Sequence, residues 1–500
     1  MRANDADVII VGGGPVGMTL ALLLAQRGTS VLVCERHERP FSEPRAVGID
    51  DETLRTWQNC GVLDAILPFV LAGPVGETIF TYRDGTGRRL YDLQQRHGNL
   101  GYPEGAVFLQ PSVEAVLRQH VMQFACVRFC SGFTVTHIQQ DANSVEVRGT
   151  QATGHPFSFS SAYVVGCDGA KSLVREQAGI VFEGHDCPES WLILDTYDRH
   201  HDATQLPEQG VEVWCDPVYT GVTVPLPHGY RRWEIRLTAD ECGVLEHDGP
   251  AREARLSRFR KGPLGEIIRK KEIRFSARQA AQYRKGRILI AGDAAHVTPP
   301  FAAQGLVSGI RDVANLSWKL SAVVSQEQPD TLLDSYDRER RAHQRKMIQL
   351  ALALGRLMMP HSRLEASVVH MLFACLQKMP PRVQNCFVLR GNHLQPHLHA
   401  GFLGHRGGRY FPQAEVRMPN GHTCLIDHLL GNHVAVVSFC SQPIADMPVS
   451  RDVAAVLTGT VTHLVCGRDF VDFSRAYAEF AHEYVIVRPD RVIYARIRST

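Results

Sequence analysis

The start of the chain, up to Glu35, follows the hydrophobic pattern of a strand, a helix and a second strand. A buried strand is predicted by the β-branched run DVIIV, a helix by the apolar stretch MTLALLLAQRG, and a second strand by TSVLVCE. Gly28 lies where the helix should end, at a position that suits a residue tolerant of positive φ. This pattern predicts a βαβ unit.

The middle of the chain changes its hydrophobic pattern twice. Alternation in VEVWCD, VTVPLP and RRWEIRLT predicts a mostly antiparallel sheet. Buried strands return in YVVGCDG and in RILIAGDAAH, which leads into the helical stretch GLVSGIRDVANLSWKLSAVV. We therefore expect an α/β protein with a discontinuous first domain, in the pieces 1–76, 101–180 and 278–390, and a β-sheet domain inserted at 77–100 and 181–277.

A last α/β unit is expected at 400–500, after a segment rich in Gly, Pro and His that predicts a linker. Its strand-like runs VAVVSFC, THLVCG, EYVIVRP and VIYARI alternate with the helix-like LIDHLL and FSRAYAEFA. His393, His397 and His399 fall in the linker, where prolines interrupt the chain and no acids or cysteines accompany them. We expect no metal site there.

Composition narrows the class of protein. At 500 residues the chain exceeds what one hydrophobic core usually supports. Lys plus Arg (54) nearly balance Asp plus Glu (52), so charge gives no reason to expect a nucleic-acid partner. The longest apolar stretches are far shorter than a membrane span, and the first residues lack the regions of a signal peptide. The expected location is cytoplasmic, and the scattered cysteines predict no disulfide framework.

The glycines of VGGGPVG give the βαβ unit its chemistry. Gly12, Gly14 and Gly17 satisfy GxGxxG, a pattern in which glycines allow a tight turn, close approach of a pyrophosphate and close packing of the helix on the strand. Glu35 ends the second strand, where a carboxylate can bind both ribose hydroxyls and repel a 2′-phosphate. These residues predict the AMP half of FAD or NAD and leave the choice between them open.

Two later stretches favour a flavin. In ILIAGDAAHVTPPFAAQG, Asp293 follows a buried strand and precedes a loop and the helix that begins near Gly305. The aspartate can bind a sugar-alcohol hydroxyl, and the helix N-terminus can present N–H groups to a ring that becomes anionic. In GCDGAKSLVR, Asp168 and Gly169 end another strand, although an Asp-Gly pair alone would indicate only a turn.

With these motifs in order, the sequence resembles the single-component, group A FAD-dependent aromatic hydroxylases over almost the whole chain. The resemblance rests on GGGPVG, DGAKSLVR and GDAAHVTPP, and the segments PRAVGIDDETLR and RRWEIRL are most similar to the 3-(3-hydroxyphenyl)propionate hydroxylase branch. It implies a Rossmann-like FAD-binding domain, a substrate-binding inserted sheet and a C-terminal thioredoxin-like domain. That last domain has no CxxC pair, so we expect it to have a structural role or to form contacts between subunits. A homodimer is the assembly to be considered.

The resemblance also implies the positions of the FAD contacts. Glu35 would bind the adenosine ribose, Asp293 the ribityl chain, and Pro299 and Pro300 would lie beside the flavin ring. The complete set of expected FAD-binding residues is Gly12, Gly14, Pro15, Val16, Gly17, Glu35, Arg36, Arg45, Gln110, Asp168, Gly169, Gly292, Asp293, Pro300, Gly305, Leu306 and Val307. The chain departs from the common GQGxN pattern at Ala303 and Val307, which puts flavin or substrate positioning in doubt but not flavin binding.

The implied activity is hydroxylation of a phenolic ring by O₂ and a transiently bound NADH or NADPH, through a flavin C4a-hydroperoxide. Beside Pro299 and Pro300, the candidate catalytic residues are Tyr219, His228 and Arg231, each equally compatible with a packing or surface role. Trp191 and Arg232 are compatible with the same role, and only one of the adjacent arginines Arg231 and Arg232 can face the pocket. The alternatives are a larger polyketide, polyphenol or antibiotic substrate, and a flavin redox sensor that oxygenates nothing.

Overall fold

The computed structural model describes residues 4–199, 210–260, 262–380, 397–440, 444–457 and 459–499. The strands are β1 Ala6–Val11, β2 Val31–Glu35, β3 Gly48–Ile49, β4 Val70–Leu71, β5 Thr78–Arg83, β6 Arg89–Gln94, β7 Ala106–Phe108, β8 Val127–Ser131, β9 Phe133–Gln140, β10 Val145–Gln151, β11 Pro156–Gly166, β12 Phe182–Tyr197, β13 Val211–Trp214, β14 Gly221–Pro225, β15 Tyr230–Arg236, β16 Glu266–Ala280, β17 Arg284–Lys285, β18 Ile288–Ile290, β19 His296–Val297, β20 Glu415–Arg417, β21 Thr423–Leu425, β22 Val434–Ser438, β23 Val461–Val465, β24 Glu483–Val487 and β25 Ile493–Arg498. The helices are α1 Pro15–Ala25, α2 Asp51–Asn59, α3 Leu63–Ile66, α4 Gln110–Val121, α5 Leu173–Gln177, α6 Gly249–Leu256, α7 Gly305–Val324, α8 Asp334–Met358, α9 Arg363–Lys378, α10 Asp427–Leu430 and α11 Arg451–Val456.

The predicted βαβ unit forms the centre of the first sheet. Strand β1 lies between β2 and β11 and runs parallel to both, and the order across the sheet is β17-β18-β11-β1-β2-β8. Strands β9 and β10 extend β11 as an antiparallel hairpin. Helix α1 packs against α4 and α7, and the apolar residues between these helices and the sheet form the largest core of the described chain. The carboxyl ends of β1, β2, β11 and β18 therefore meet at one edge.

The second sheet collects strands from distant parts of the sequence. Its order is β19-β16-β12-β15-β14-β13-β5-β6, and its pairs are antiparallel except for β13 with β5. Strand β19 belongs to the segment that follows β18, so the loop after the first sheet is hydrogen-bonded directly to the second sheet through β16. One face of this sheet packs under α6, and the other face turns toward α8 and α9.

The C-terminal part contains a four-stranded sheet of order β23-β22-β24-β25 and the β20–β21 hairpin. The helix expected from FSRAYAEFA is wrong, since this stretch forms only a single 3-10 turn at Ala478–Phe480. The carboxylate of Asp472 accepts hydrogen bonds from the backbone N–H groups of Ala476 and Tyr477, which favours a turn over a helix. The Tyr477 ring stacks on Phe411 in the core of this unit.

Buried ion pairs join the C-terminal part to the rest of the chain. Arg488 lies between Asp490 of its own segment and Glu339 of α8, 2.9 Å from the Glu339 carboxylate. Lys319 of α7 also contacts Glu339 at 2.9 Å. A second network links Arg55 of α2 to Asp427, which also pairs with Arg491. These charges are almost fully excluded from solvent, so their partners must be present for each to be tolerated.

No helix among the described residues is both long enough and apolar enough to cross a bilayer.

Replacing Arg488 by methionine should destabilise the folded chain severely. The substitution leaves Glu339 and Asp490 buried without their shared guanidinium, a loss that costs about 3–5 kcal/mol of unfolding free energy. Urea unfolding followed by tryptophan fluorescence measures the change. Arg468→Met is the matched control, because Arg468 pairs with Asp469 on the exposed surface and its loss should change the free energy little. Equal effects of the two substitutions would contradict the structural role of the buried network.

Candidate active site

The glycines after β1 form a turn around an open space. A Cβ on Gly12, whose φ is +109°, would overlap the carbonyl of Cys167, and a Cβ on Gly17 would overlap the carbonyl of Gly12. These two glycines permit close packing of the turn, of α1 and of the end of β11. A Cβ on Gly14 would meet no protein atom within 4 Å. The open space lies at the N-terminus of α1, where Pro15 is the first residue and unpaired N–H groups favour phosphate.

Glu35 closes the next strand beside this turn. One oxygen of its buried carboxylate accepts the Gly13 N–H at 2.6 Å and the other accepts the His37 N–H at 2.7 Å. Each oxygen keeps a lone pair that a ribose hydroxyl can use. The neighbouring Arg36 is exposed, and its Nε donates to His37 at 3.1 Å. The arrangement suits an adenosine next to the turn.

Arg118 is a residue of this region that the sequence reasoning missed. It lies on α4 in a buried pair with Glu114, at 2.7 Å, and its Nε donates to the Gly13 carbonyl at 3.3 Å. Its Nη1 is buried and has no hydrogen-bond partner among the described residues. The i,i+4 spacing of an acid and an arginine on an otherwise amphipathic helix is a signal that could have identified the pair. An orphaned donor beside an open turn fits an anionic, hydrogen-bonding ligand.

The segment around Arg45 is held from two sides. The Gln110 side-chain oxygen accepts the backbone N–H groups of Arg45 and Ala46, at 3.0 and 2.7 Å. From the second sheet, Arg232 donates to the Arg45 carbonyl at 2.7 Å and also to the Pro44 carbonyl. A paired Asp195 carboxylate fixes the Arg232 guanidinium. Of the two adjacent arginines on β15, Arg232 is thus the one that faces the Arg45 segment.

The Asp-Gly and Gly-Asp loops, which follow β11 and β18, are linked by a single arginine. Asp168 accepts hydrogen bonds from the Ser172 hydroxyl at 2.5 Å and from the Val174 N–H at 3.1 Å. Burial raises the pKa of Asp168. Arg175, one turn farther along, donates to the Ala294 carbonyl at 2.9 Å. The Asp-Gly and Gly-Asp motifs, which are distant in sequence, therefore lie at one edge of the first sheet. Gly169 has a φ of +84° in the turn after β11.

Asp293 lies in a cleft at that edge. Its side chain reaches solvent, yet enough protein surrounds it that desolvation raises its pKa, against the opposing effects of His296 and Arg45. The preceding Gly292 has a φ of +62°, and its N–H donates to Asp312 of α7 at 3.0 Å. A solvent-accessible carboxyl at this edge of the sheet is suited to bind the hydroxyls of an extended polar ligand.

The loop before α7 shows why glycine is common at position 303, where this chain has alanine. Pro300–Ala302 form a 3-10 turn, after which Ala303 adopts a φ of +52°, in the left-handed region that favours glycine. Its Cβ lies 3.2 Å from where a Cβ on Gly48 would be. A Cβ on Gly305, the first residue of α7, would meet no protein atom within 4 Å, so the helix start faces open space.

The second departure, Val307, is buried behind the start of α7. Leu306, the residue before it, is half-buried and packs against the core of the first sheet. The backbone donors at the start of the helix are independent of both side chains. Val16 of α1 packs against Gly292 and Gly309, which brings the N-terminal ends of α1 and α7 together.

An aromatic cluster lies beside the proline loop. Trp191 of β12 contacts Phe275 of β16 and Phe301 of the loop, with ring centroids 5.5 and 5.9 Å apart, and Met359 packs with them. The Trp191 indole nitrogen is buried without a partner among the described residues. Pro299 itself is buried. The sequence pattern offers Trp191 as a candidate but cannot place it against this loop, because Trp191 and Phe301 lie far apart in the chain.

The other candidate catalytic side chains make contacts elsewhere. Arg231 donates to Thr223 at 3.0 Å and lies over the Trp233 ring, on the face covered by α6. Tyr219 packs under Arg255 of α6. The ring of the exposed His228 lies 3.0 Å from the Pro68 carbonyl oxygen. None of the described contacts of these three side chains reaches the Pro299–Pro300 loop.

The described part of the linker contributes no ligand set. The rings of His397 and His399 lie against each other, tilted by 36°, with centroids 4.4 Å apart, and His393 lies outside the described residues. No group of three or more potential metal ligands occurs among the described residues.

Comparison with known proteins identifies the family. A family model described as an FAD binding domain matches residues 5–351, and a model described as the HcaD C-terminal domain matches residues 408–500. The chain is 34% identical over 457 residues to a 3-(3-hydroxy-phenyl)propionate/3-hydroxycinnamic acid hydroxylase of Mycobacterium avium, an alignment that covers 88% of this chain and 77% of the relative. The chain belongs to the flavin-dependent aromatic hydroxylases.

Solved structures agree with this hydroxylase family. The p-nitrophenol 4-monooxygenase PnpA of Pseudomonas putida DLL-E4 shares 27% identity and a TM-score of 0.68, over 78% of this chain and 98% of that chain. Aklavinone-11 hydroxylase, solved with FAD and aklavinone, has the same fold, with a TM-score of 0.78 at 20% identity over 99% of this chain and 96% of that chain. The hydroxylase therefore has the mixed α/β fold of the family, with several sheets and an HcaD-like C-terminal domain.

The family predicted from the three motifs is confirmed, and so is FAD as the cofactor. NAD(P)H and O₂ are the typical co-substrates of these hydroxylases. The residues at this edge fit FAD, because the open space at Gly14 and the Arg118 donor, which has no partner among the described residues, suit a phosphate, and the Asp293 carboxyl suits the hydroxyls of a sugar alcohol.

A valine at Gly14 should weaken FAD binding strongly without unfolding the chain. Gly14 has an ordinary φ of −76°, so valine is sterically allowed, but its side chain would fill the space at the helix N-terminus. We expect the Kd for FAD to rise at least about tenfold, as measured by flavin fluorescence. The control is Gly249→Val, at the first residue of α6, where a Cβ would make only an ordinary van der Waals contact, 3.7 Å from Arg252 Nη2. Unchanged FAD affinity in Gly14→Val would contradict the assignment of the space.

Ala303→Gly should stabilise the proline loop. Relief of the left-handed backbone adds up to about 1 kcal/mol to the free energy of unfolding. Gly48→Ala should destabilise the native chain, because its new methyl group would press on Ala303, and should be tolerated better together with Ala303→Gly. A double-mutant cycle in urea unfolding measures the coupling. Strictly additive effects would show that the two positions do not touch.

Proposed function

We propose that the hydroxylase acts on a small phenol of the 3-(3-hydroxyphenyl)propionate type, with O₂ and NADH or NADPH. The observation that carries the proposal is the 34% identity over 457 residues to a hydroxylase named for that substrate. Bound FAD, once reduced by NAD(P)H, supplies the reaction with an electrophilic oxygen from O₂. The protein's own part is to bind, orient and enclose the reactants.

The proposed FAD contacts divide among three loops. The turn at Gly12, Gly14 and Gly17, with Pro15 and Val16, would bind the pyrophosphate, and Glu35 would bind the adenosine ribose beside Arg36. Arg45, Gln110, Asp168 and Gly169 would line the middle of the cofactor. Asp293, next to Gly292, would accept hydrogen bonds from the ribityl hydroxyls. These assignments are supported by the geometry of the cleft and by the family resemblance.

The proposed reaction site lies between the start of α7 and the second sheet. N–H groups at Gly305, Leu306 and Val307 would stabilise negative charge on the flavin ring, because the positive end of the α7 dipole points there. Pro299 and Pro300 would lie beside the ring, and the Trp191 cluster would exclude water from it. Tyr219, His228 and Arg231 stay predictions, and no described contact supports a role for them at this loop.

The proposed domain division follows the sheets. We assign 1–76, 101–180 and 278–390 to a Rossmann-like FAD-binding domain and 77–100 with 181–277 to the substrate-binding sheet. The division is supported by the strands, since β5, β6 and β12 to β16 pair in one sheet apart from β1 and its neighbours.

Residues 400–500 would form a thioredoxin-like domain without a redox dithiol, and its four-stranded sheet with one parallel and two antiparallel pairs supports this. The cysteines of the described residues are all free, which supports a reducing cytoplasmic location, and a homodimer is the proposed assembly.

The test mixes the purified protein and FAD with NADH or NADPH in air and follows coenzyme oxidation and product mass. We expect 3-(3-hydroxyphenyl)propionate to stimulate oxidation and to yield a product heavier by one oxygen atom. The matched control is 3-phenylpropionate, which has the same carboxylate but no phenol to activate the ring. If only a bulky polyketide or polyphenol stimulates coenzyme oxidation, the substrate belongs to that larger class and not to the small phenols. Oxidation that responds to no aromatic compound would contradict the hydroxylase proposal.

A further inference from the structure

The end of the flavin loop is held by a side-chain contact. Gln304 is the last residue before α7, and its backbone carbonyl accepts the Ser308 N–H at 3.0 Å as the first turn forms. Its side chain is buried, and the amide oxygen accepts the Nη1 group of Arg311 at 2.5 Å. Arg311 therefore determines where the amide of Gln304 points.

Arg311 is itself fixed by a different part of the chain. Its Nη2 donates to Asp50 at 2.9 Å and its Nε pairs with Glu52, both at the start of α2. Asp50 also caps this helix, because its other oxygen accepts the N–H of Thr53 at 3.0 Å. A planar guanidinium has its donors in a rigid fork and can hold three partners in one fixed arrangement, whereas the three donors of an ammonium are not planar and rotate about a flexible stem.

The charges around Arg311 make it the main counter-charge of an acidic cluster. Asp50, Asp51 and Glu52 are consecutive, and desolvation raises the pKa of Glu52 to about 7 although Arg311 lowers it. Burial, with the neighbouring carboxylates, raises the pKa of Asp51 to about 9. One oxygen of Asp51 and one of Glu52 are buried without a hydrogen-bond partner among the described residues. The cluster thus depends on a correctly placed Arg311.

The same acidic segment touches the flavin loop at a second point. Gly48, two residues before Asp50, packs against the Ala303 Cβ, and Gln304 follows Ala303 directly. Segment 48–52 therefore contacts the loop by backbone packing on one side and through Arg311 on the other. Moving Arg311 would shift the last residues of the loop and the first N–H groups of α7 together.

We propose that Arg311 is a positioning residue, which holds Gln304 against Asp50 and Glu52 and so places the N-terminus of α7 against the flavin ring. The inference rests on the proposed reaction site at the start of α7. Arg311 acts through Gln304 and touches no reacting atom itself. Its function is geometric, so the direction of its donors matters as well as its charge.

The first test compares Arg311→Lys with the unaltered holoenzyme. Lysine keeps the charge that neutralises the acids but loses the fork that holds Gln304. We expect an altered flavin absorption spectrum and midpoint potential, and a loss of product per NAD(P)H oxidised of about tenfold or more. The FAD Kd of the apoprotein is measured in parallel. If Arg311→Lys keeps the spectrum, the potential and the coupling unchanged, the proposal is overturned.

A second substitution separates positioning from stability. Gln304→Met removes the acceptor but leaves Arg311 paired with both carboxylates. We expect it to reproduce the spectral and potential shifts of Arg311→Lys, and the double variant to shift them no further, since both act through one contact. Full additivity of the two shifts would overturn the proposal.

The matched control is Arg55→Lys, on α2 and as deeply buried, but paired with Asp427 away from the loop. It should lower the unfolding midpoint and leave the flavin spectrum and potential unchanged. Equal spectral shifts in Arg55→Lys and Arg311→Lys would assign the effect to general destabilisation and overturn the proposal. Because the spectrum and the potential need no substrate, they decide this inference even if no phenol is hydroxylated.

Discussion

The buried carboxylate of Asp312 is the interaction on which the cofactor edge depends. One of its oxygens accepts the Gly292 N–H at 3.0 Å and lies 2.6 Å from His296, and the other accepts Arg340 at 2.9 Å. Burial alone would raise the pKa of Asp312, but His296 and Arg340 outweigh burial and lower it. One charged group thereby joins the turn that carries Asp293 to α7 and α8, and it must stay ionised and paired where it is.

Buried arginines connect several other parts of this protein. Arg232 connects the second sheet to the loop at Arg45, Arg175 connects the Asp-Gly loop to the Gly-Asp loop, and Arg488 connects the C-terminal domain to α8. Apolar contacts between layers are tolerant of small shifts, whereas a guanidinium that donates to several fixed acceptors is not. Arginines therefore set the relative position of the sheets around the cleft.

Most local elements follow from the sequence, because their hydrophobic periods are strong. The βαβ unit, the glycine turn and the long helix after Gly305 have patterns that few other structures satisfy. The stretch before Phe480 shows the limit, since the Asp472 side chain competes for backbone N–H groups and a turn replaces the helix. The sequence shows only that Ala303 and Val307 depart from the GQGxN pattern. The backbone explains why glycine is common at position 303.

The sequence by itself determined the family, the cofactor and the residues that form the dinucleotide turn, because these depend on local backbone geometry and on motifs contiguous in the chain. Only the tertiary structure decided that an Arg118 donor has no partner among the described residues, that Arg232 and not Arg231 faces the Arg45 loop, and that Arg311 joins Gln304 to α2. Each of these features depends on segments that are distant in the chain, and the hydrophobic pattern does not say which of them meet. Which buried charge meets which partner is settled by the packing of whole layers, and no local period encodes it.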